Sequence, residues 1–392
     1  MHGSSPRDGV LHVITDPRRR GAQTFAYDLH HELRARGTAS RIVALAPDPP
    51  APPAPNEPPA PPAPPPARAP GAHDLPVRTL GSRRLGRDTL SALRHEANGH
   101  RVVVAHGSST LPACALALAF ARIPFVYVSI GDPRHWAPTR LRRLRVGLML
   151  RRAEAVASVS ALGRELLLRH YGLPPDRVRS IPNGRRPEAY PRVDAASRAA
   201  ARAQLGVPDD AVVLAVVGAL GPEKRVDVAI EAFARLAADP PTRPGGELLL
   251  LIAGDGALRG RLTDVAAELA PGRVRFLGTV DDAGPVYRAA DALLLTSDSE
   301  GVPGVLVEAG LSGIPAVATD VGFVRDVVLD ARTGALVAPG DPAAVAAGVR
   351  RVLADAATLG AAAHGHCVGT YAMASVVDAW QELLEGIAAP TA

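Results

Sequence analysis

Short apolar runs alternate with segments of helical periodicity along most of this chain. The runs are four to six residues long and occupy residues 10–14, 41–46, 101–105, 124–129, 155–158 and 178–181, then 212–217, 248–253, 274–277, 292–296 and 316–319. Helical patterns stand between many of them, for example over residues 24–36, 111–122 and 226–237. Strands that are joined through helices pair in parallel rather than as hairpins. The pattern therefore predicts an α/β protein with two doubly wound parallel sheets.

The predicted elements also suggest where the two halves meet. Residues 183–195 separate them, and a last helix is expected over residues 372–387, where apolar positions recur at helical spacing. The first half is interrupted by residues 47–70, in which 14 of 24 positions are proline. Such a segment cannot form core structure, so we expect a disordered surface loop there.

Composition narrows the class of protein. The chain has 392 residues, 47% of them hydrophobic, which is enough for two domains. A formal net charge of +5 favours an anionic partner, but with only 4% aromatic residues and no aromatic-interleaved basic run nucleic acid is disfavoured. Cys114 and Cys367 form no metal or disulfide motif, the N-terminus lacks a signal sequence, and no apolar stretch reaches the ~18 residues of a membrane span. We therefore expect a cytoplasmic protein.

Residues 297–308 carry the most specific chemistry. The sequence Ser297-Asp-Ser-Glu-Gly-Val-Pro-Gly-Val-Leu-Val-Glu308 follows a predicted strand, and a helix is expected to begin near Gly304. The open N-terminus of such a helix binds phosphate, and a carboxylate one or two turns further on can accept hydrogen bonds from sugar hydroxyls. Glu300 and Glu308 taken singly fit ordinary helix-start carboxylates as well. Together they indicate a phosphorylated sugar as ligand.

Two other turns in the second half point to the same ligand. Lys224 is the only lysine among 44 basic residues and stands where a glycine turn meets a helix, a position suited to neutralising a diphosphate. The turn Gly254-Asp-Gly256 follows another predicted strand and would let the backbone approach a flat base. Each could also be an ordinary surface lysine or αβ turn, but their order within one half is more specific.

These motifs resemble those of the family 4 glycosyltransferases of the GT-B fold. The matching sequences are Ile181-Pro-Asn-Gly184, Val217-Gly218, Glu223-Lys224, Ala253-Gly-Asp-Gly256, Phe276-Leu-Gly-Thr-Val280, Ala290-Asp-Ala292, Ser297 to Ala309, Gly313 to Asp320, Thr333-Gly334 and Val337 to Asp341. The first half matches more loosely, through Arg20-Gly-Ala-Gln23, Ala105-His106-Gly107 and Ile123-Pro124.

The resemblance implies an architecture and an activity. The fold would be two Rossmann-like domains facing a central cleft, with residues 1–185 binding the acceptor, residues 186–370 binding the nucleotide sugar, and residues 371–392 crossing back to the first domain. The activity would be retaining transfer of a sugar from a nucleotide sugar, by preference a UDP-sugar, to a small-molecule or lipid-linked acceptor such as a natural product. No metal or other cofactor would be required.

The resemblance also implies roles for particular residues. Glu308 would bind the ribose hydroxyls, Glu300 would lie near the donor sugar, and Gly21 would belong to an N-terminal loop that closes over the diphosphate. The implied donor-binding set is Gly21, Gly218, Lys224, Arg225, Gly254, Gly256, Val280, Glu300, Gly301, Gly304, Val305 and Glu308. The candidate catalytic set is Glu300, Lys224, His106 and Asp132.

Two positions depart from the family pattern. An arginine expected five residues before Lys224 is replaced by Ala219, and a histidine expected near Ile130 is absent. Asp132, His135 or His106 could substitute for that histidine, although a capping or packing role suits His106 equally well. These losses leave open a degenerate GT-B protein that binds a nucleotide sugar without transferring it, and a UDP-sugar epimerase of the same fold.

The arginine-rich helix predicted over residues 139–152 allows two interpretations. Leu141, Leu144, Val146 and Leu148 could form the face that packs on the sheet, with the arginines solvated, and this is the arrangement we expect. Alternatively, the helix could lie on an anionic membrane surface, which would make the protein peripheral on the inner face of the membrane.

Overall fold

A computed structural model describes residues 9–18, 21–47, 75–136, 139–238 and 246–387 of the chain. The proline-rich segment predicted at 47–70 lies outside these ranges except for its first residue. The side chain of His135 also lies outside the described set.

All strands pair in parallel within two sheets. The first sheet has the order β3-β2-β1-β4-β5-β6-β7, and the second has the order β10-β9-β8-β11-β12-β13. The strands are β1 Val10–Ile14, β2 Ser40–Ala44, β3 Arg78–Thr79, β4 Val102–His106, β5 Phe125–Ser129, β6 Ala155–Ser158, β7 Val178–Ser180, β8 Val212–Val217, β9 Leu248–Ala253, β10 Val274–Gly278, β11 Ala292–Leu295, β12 Ala316–Thr319 and β13 Gly334–Val337. The predicted doubly wound α/β fold is confirmed.

Helices connect the strands, as parallel pairing requires. They are α1 Gly21–Ala35, α2 Arg87–Ala97, α3 Thr110–Ala117, α4 Arg140–Arg152, α5 Ala161–Tyr171, α6 Ala195–Gln204, α7 Val226–Ala238, α8 Arg259–Leu269, α9 Gly284–Ala289, α10 Gly304–Leu311, α11 Pro342–Ala354, α12 Ala356–Tyr371 and α13 Met373–Glu385. Within the described residues, none of them is both long and apolar enough to cross a membrane.

The chain divides into two compact units. The first comprises the residues up to Gly184 together with the segment from Met373 onward, and the second is Arg185–Ala372. Helix α13 packs against α1 in the first unit, where Trp380 is fully buried. In the second unit every residue of β9 is buried, because helices cover both faces of a parallel sheet.

Three expectations about helices are wrong. Helix α1 begins at Gly21 rather than at residue 24, so Gly21 is an exposed first-turn residue and not part of a loop. Helix α3 ends at Ala117 rather than at residue 122, because Arg152 donates hydrogen bonds to the carbonyls of Leu118 and Ala121 in the turn that follows. The apolar periodicity of residues 117–121 suits a helix, which explains why the sequence predicted a longer α3.

The third correction concerns the face of α4 that packs inward. Leu141, Leu144 and Leu148 are 58%, 57% and 59% exposed, whereas Gly147 and Leu150 are buried. Val146 and Met149 also contact the core of the first unit. The helix carries two apolar stripes, and the sequence alone could not show which of them faces the sheet.

Candidate functional site

The predicted donor-binding residues of the second unit follow neighbouring strands at one edge of the sheet. Strand β8 pairs with both β9 and β11, so the chain order of the strands reverses between β8 and β11. Ligands of doubly wound proteins bind outside the carboxyl ends of the strands at such a reversal. The loops after β8 and β11 begin there and contain Gly218, Lys224, Arg225, Glu300 and Gly301, and Gly304 begins the helix that follows the second loop.

Glycines let the turns after β8 and β9 pack backbone against backbone. Gly218 and Gly254 have φ angles of 152° and 140°, and a Cβ on Gly254 would overlap the carbonyl oxygen of Gly218. A Cβ on Gly256 would lie 2.7 Å from the carbonyl oxygen of Leu220. The N–H of Gly254 donates to the carbonyl of Gly278 at 2.7 Å, which joins the end of β10 to the same layer. Val280, two residues beyond β10, is half-buried beside this layer's edge strand.

Lys224 and Glu300 form an ion pair across the strand reversal. Lys224 ends a single 3-10 turn after β8, and its Nζ lies 2.6 Å from Oε1 of Glu300. The same oxygen accepts a hydrogen bond from the hydroxyl of Ser297 at 2.6 Å. The Lys224 side chain is 29% exposed and that of Glu300 only 10%, so the ammonium remains accessible to a ligand while the carboxylate is largely shielded.

Hydroxyl groups fix the two loops to each other. Thr296 at the end of β11 donates to the carbonyls of Lys224 and Arg225, at 3.1 and 2.8 Å. Thr319 at the end of β12 donates to the carbonyl of Ser297 at 2.6 Å. Thr296, Ser297 and Thr319 are themselves buried, so these contacts connect the Lys224–Glu300 pair to the interior of the second unit.

The guanidinium of Arg225 forms ion pairs with two carboxylates of the same unit. Its φ of 46° is left-handed, and its guanidinium pairs with Asp227 at 3.1 Å and with Asp298 at 3.4 Å. These carboxylates, Asp227 foremost, raise the pKa of the guanidinium further. A role for Arg225 beside Lys224 stays a prediction.

The N-terminus of α10 is open. Pro303 precedes the helix and supplies no side-chain cap, and the first turn contains no acidic residue. The N–H groups of Gly304 and Val305 lie at this end, which carries the positive end of the helix dipole. It lies next to the Glu300 loop and is suited to binding an anion.

Glu308, in the second turn of α10, is held from both sides. Its Oε1 accepts a hydrogen bond from Nε of Arg185 at 2.9 Å, and its Oε2 accepts one from the hydroxyl of Tyr287 at 2.8 Å. Burial, reinforced by the charge of Glu308, raises the pKa of Tyr287 well above its usual value. Sequence analysis missed both partners: Arg185 adjoins the Ile181–Gly184 motif, but nothing in the sequence marks Tyr287.

Two family models match the chain. One, described as Glycosyl transferases group 1, matches residues 197–364, and the other, Glycosyltransferase Family 4, matches residues 19–189. The chain belongs to glycosyltransferase family 4.

Individual relatives agree with this family 4 assignment. A D-inositol 3-phosphate glycosyltransferase of Geodermatophilus obscurus is 32% identical over 287 residues, which are 69% of this chain and 60% of that protein. The lipopolysaccharide core biosynthesis glycosyltransferase LpsE of Rhizobium meliloti is 33% identical over 187 residues, 47% of this chain and 52% of LpsE. The matches therefore span only about half of the length of these curated relatives.

Solved structures agree with the GT-B fold of the family. HepE of Anabaena, crystallised with UDP and glucose, superposes with a TM-score of 0.78 at 21% identity, covering 97% of this chain and 100% of that one. The sucrose-phosphate synthase of Thermosynechococcus elongatus gives a TM-score of 0.75 at 22% identity, covering 97% and 98%.

The remaining predicted residues of this family 4 member lie in the first unit. His106 ends β4 and is only 2% exposed, with its Nε2 3.0 Å from Nδ1 of His12. Burial lowers the pKa of His106 to about 3, so the ring stays neutral. Asp132 is 5% exposed and its carboxylate binds Arg134 through two oxygens. Both geometries favour structural roles, and the predicted catalytic roles remain predictions.

A metal site was not expected from the sequence. Within the described part of the chain, no three His, Cys, Asp or Glu side chains lie together in a way that could hold a metal ion. The cationic groups at the candidate site include Lys224, Arg225, Arg185 and the N-terminus of α10.

Proposed function

We propose that this protein is a retaining glycosyltransferase that moves a sugar from a UDP-sugar to a small-molecule or lipid-linked acceptor. Membership of family 4 supports sugar transfer as the reaction. The observation that carries the proposal is the Lys224–Glu300 pair, which stands beside the open N-terminus of α10. A diphosphate needs fixed positive charge, and this edge of the second sheet offers an ammonium and a helix N-terminus together.

Different residues of the second unit would bind different parts of the donor. Sugar transfer places negative charge on the departing diphosphate, and pre-positioned cations and N–H groups stabilise such charge best. Lys224 and the N–H groups of Gly304 and Val305 would serve this purpose. Glu300, held by Ser297, would orient Lys224 and contact the donor sugar, and Glu308 would bind the ribose.

The first unit would bind the acceptor, and the sugar would be transferred from the donor without a metal ion. His106 and Asp132 are 2% and 5% exposed, so either candidate would need the surrounding residues to move before it could contact an acceptor. The relatives' names offer inositol phosphate and lipopolysaccharide core sugars as acceptor classes to screen.

The proposal is tested by measuring UDP release from a panel of UDP-sugars, with and without acceptors. Lys224→Ala should lower kcat by roughly 10²–10³, the usual effect of removing one group that stabilises the departing charge. Arg261→Ala is the matched control, because this cation is exposed on α8 of the same unit and is not among the residues predicted to bind the donor. Its turnover should equal that of the wild type.

Two rivals are separated when the same reactions are followed both for UDP release and for the identity of the remaining UDP-sugar. A degenerate protein that only binds the nucleotide sugar, the reading motivated by Ala219, would give equal background turnover in the wild type and in Lys224→Ala. An epimerase would convert one UDP-sugar into another with no acceptor present. Either result would refute sugar transfer.

We also propose that α4 contacts an anionic membrane surface. The exposed stripe of Leu141, Leu144 and Leu148 lies among four exposed arginines at positions 140, 142, 143 and 145. Phe120, in the turn that binds Arg152, is 90% exposed. Apolar side chains that enter the lipid boundary, flanked by cations that bind phosphate head groups, are typical of interfacial helices.

Co-sedimentation with vesicles tests this surface. The wild type should bind vesicles of phosphatidylglycerol and phosphatidylcholine more strongly than vesicles of phosphatidylcholine alone. Leu144→Gln and Arg143→Gln should each weaken that binding, whereas Leu162→Gln, a partly exposed leucine on α5, should not. Binding that is indifferent to anionic lipid would exclude the membrane contact.

A further inference from the structure

The two hydrogen bonds of Glu308 leave some of the acceptor positions on its carboxylate unoccupied. A carboxylate offers about four acceptor positions, two on each oxygen. Arg185 occupies one position on Oε1 and Tyr287 occupies one on Oε2. One position therefore remains on each oxygen, and the side chain is still 14% exposed. Two acceptors side by side match two neighbouring hydroxyl groups.

Arg185 is a buried cation that pairs with the Glu308 carboxylate. The Arg185 side chain is 3% exposed, and its guanidinium lies beside Gly304 at the N-terminus of α10. A cation is disfavoured at the positive end of a helix dipole, and the Glu308 carboxylate, whose Oε1 lies 2.9 Å from Nε of Arg185, offsets this cost. A Cβ at position 304 would overlap Nη2 of Arg185, so the glycine makes room for this arrangement.

Tyr287 completes the arrangement from the opposite side. It is fully buried on α9, and because burial and the Glu308 charge raise its pKa, its hydroxyl keeps the proton that it donates. The ring of Tyr190 packs edge-on against it, with ring centroids 6.2 Å apart. The two donors approach different oxygens, so the carboxylate cannot rotate without breaking at least one of the two hydrogen bonds.

We infer that Arg185 and Tyr287 are positioning residues that orient the Glu308 carboxylate toward a vicinal diol, the ribose of a nucleoside diphosphate. The inference rests on the proposed function and extends it to two residues that contact Glu308 rather than the ligand. Their contribution should therefore appear in the selectivity for ribose over deoxyribose.

The test compares the binding of UDP and 2′-deoxy-UDP by calorimetry on the full chain. The wild type should prefer UDP by on the order of tenfold, the worth of one hydrogen bond to a charged group. Arg185→Met should weaken UDP binding by about that factor and leave 2′-deoxy-UDP nearly unchanged, so that the preference disappears. Tyr287→Phe should reduce the preference in part, and Glu308→Gln is the reference for complete loss.

The outcomes separate this inference from the proposed function. If Glu308→Gln abolishes the preference but Arg185→Met and Tyr287→Phe keep it, the positioning role is refuted and ribose binding by Glu308 stands. If the wild type shows no preference, or does not bind UDP, ribose binding and the positioning role both fail. Should Arg185→Met unfold, Tyr287→Phe decides alone, because it removes a single oxygen atom.

Discussion

At the scale of single residues, Gly254 is a position where the backbone leaves no room for a side chain. Its φ of 140° is disfavoured for other residues, and a Cβ would overlap the carbonyl oxygen of Gly218. Gly254→Ala should therefore destabilise the second unit by about 3 kcal/mol. Gly260→Ala is the control: nothing lies within 4 Å of its Cβ position in α8, so it should stabilise by up to about 1 kcal/mol.

Chemical denaturation can assign these changes to the second unit. Both tryptophans, Trp136 and Trp380, belong to the first unit, so their fluorescence follows that unit while circular dichroism follows both. Gly254→Ala should shift the dichroism transition and leave the fluorescence transition in place. Equal midpoints for Gly254→Ala and the wild type would show that the close backbone approach is not required.

Also at the residue scale, the buried His12–His106 pair makes the first unit sensitive to acid. Burial lowers the pKa of His106 to about 3, and burial together with the charge of His106 lowers that of His12 well below 6.5. The unfolded chain takes up these protons below about pH 6.5 and the folded unit does not, so stability is lost as the pH falls. At pH 5 the loss from His106 should be about 2 kcal/mol, and His12 adds a further loss of the same sign.

Tryptophan fluorescence during denaturation at pH 7.5 and pH 5 measures this loss. His106→Phe should retain the packing against Phe25 and Trp380 and remove the part of the pH dependence that His106 contributes, about 2 kcal/mol. His95→Phe serves as a control, because this histidine is exposed on α2. A wild type with equal stability at both pH values would contradict the assignment.

The Glu308 arrangement shows what sequence can and cannot reveal about single residues. Motifs at strand ends identified Lys224, Glu300 and Glu308, because strand–turn–helix junctions are local features. The partners of Glu308 are tertiary: Arg185 lies 123 positions away along the chain. No local pattern marks a pair that only the fold brings together.

At the scale of elements, α4 predicts a clear contrast between its two apolar stripes. Leu150 is 1% exposed and packs in the core, whereas Leu144 is 57% exposed. Leu150→Ala should destabilise the first unit by roughly 2–4 kcal/mol, and Leu144→Ala should change its stability by less than about 0.5 kcal/mol. The fluorescence transition in urea measures both. Similar losses for the two variants would mean that α4 packs through the stripe expected from sequence.

Helix α4 also shows why its orientation could not be predicted. Both stripes satisfy helical periodicity, and the longer one contains three leucines, which favoured it as the buried face. The structure buries the smaller side, where Gly147 lies close to Tyr171. The local sequence pattern was enough to predict that α4 is a helix. Which face of α4 is buried depended on the shape of the surface against which it packs.

At the scale of the whole molecule, the parallel α/β architecture was predictable because each strand is a continuous apolar run bounded by turns. The strands that sequence analysis missed are β3, which has two residues, and β13, which follows a Thr-Gly turn without a strongly apolar start. Both lie at sheet edges, where fewer neighbours demand apolar side chains.

The first unit is built from two separate segments of the chain, and this leads to a prediction about the whole molecule. Its C-terminal part, α13, buries Trp380, Val377 and Leu384, so the unit is completed only by the last segment of the sequence. Removing residues 373–392 should destabilise the first unit by more than the roughly 3–5 kcal/mol of a single buried tryptophan. The second unit, residues 185–372, should keep its own transition. Trp136 fluorescence and circular dichroism of the truncated chain measure the two effects separately, and an unchanged Trp136 midpoint would refute the dependence on α13.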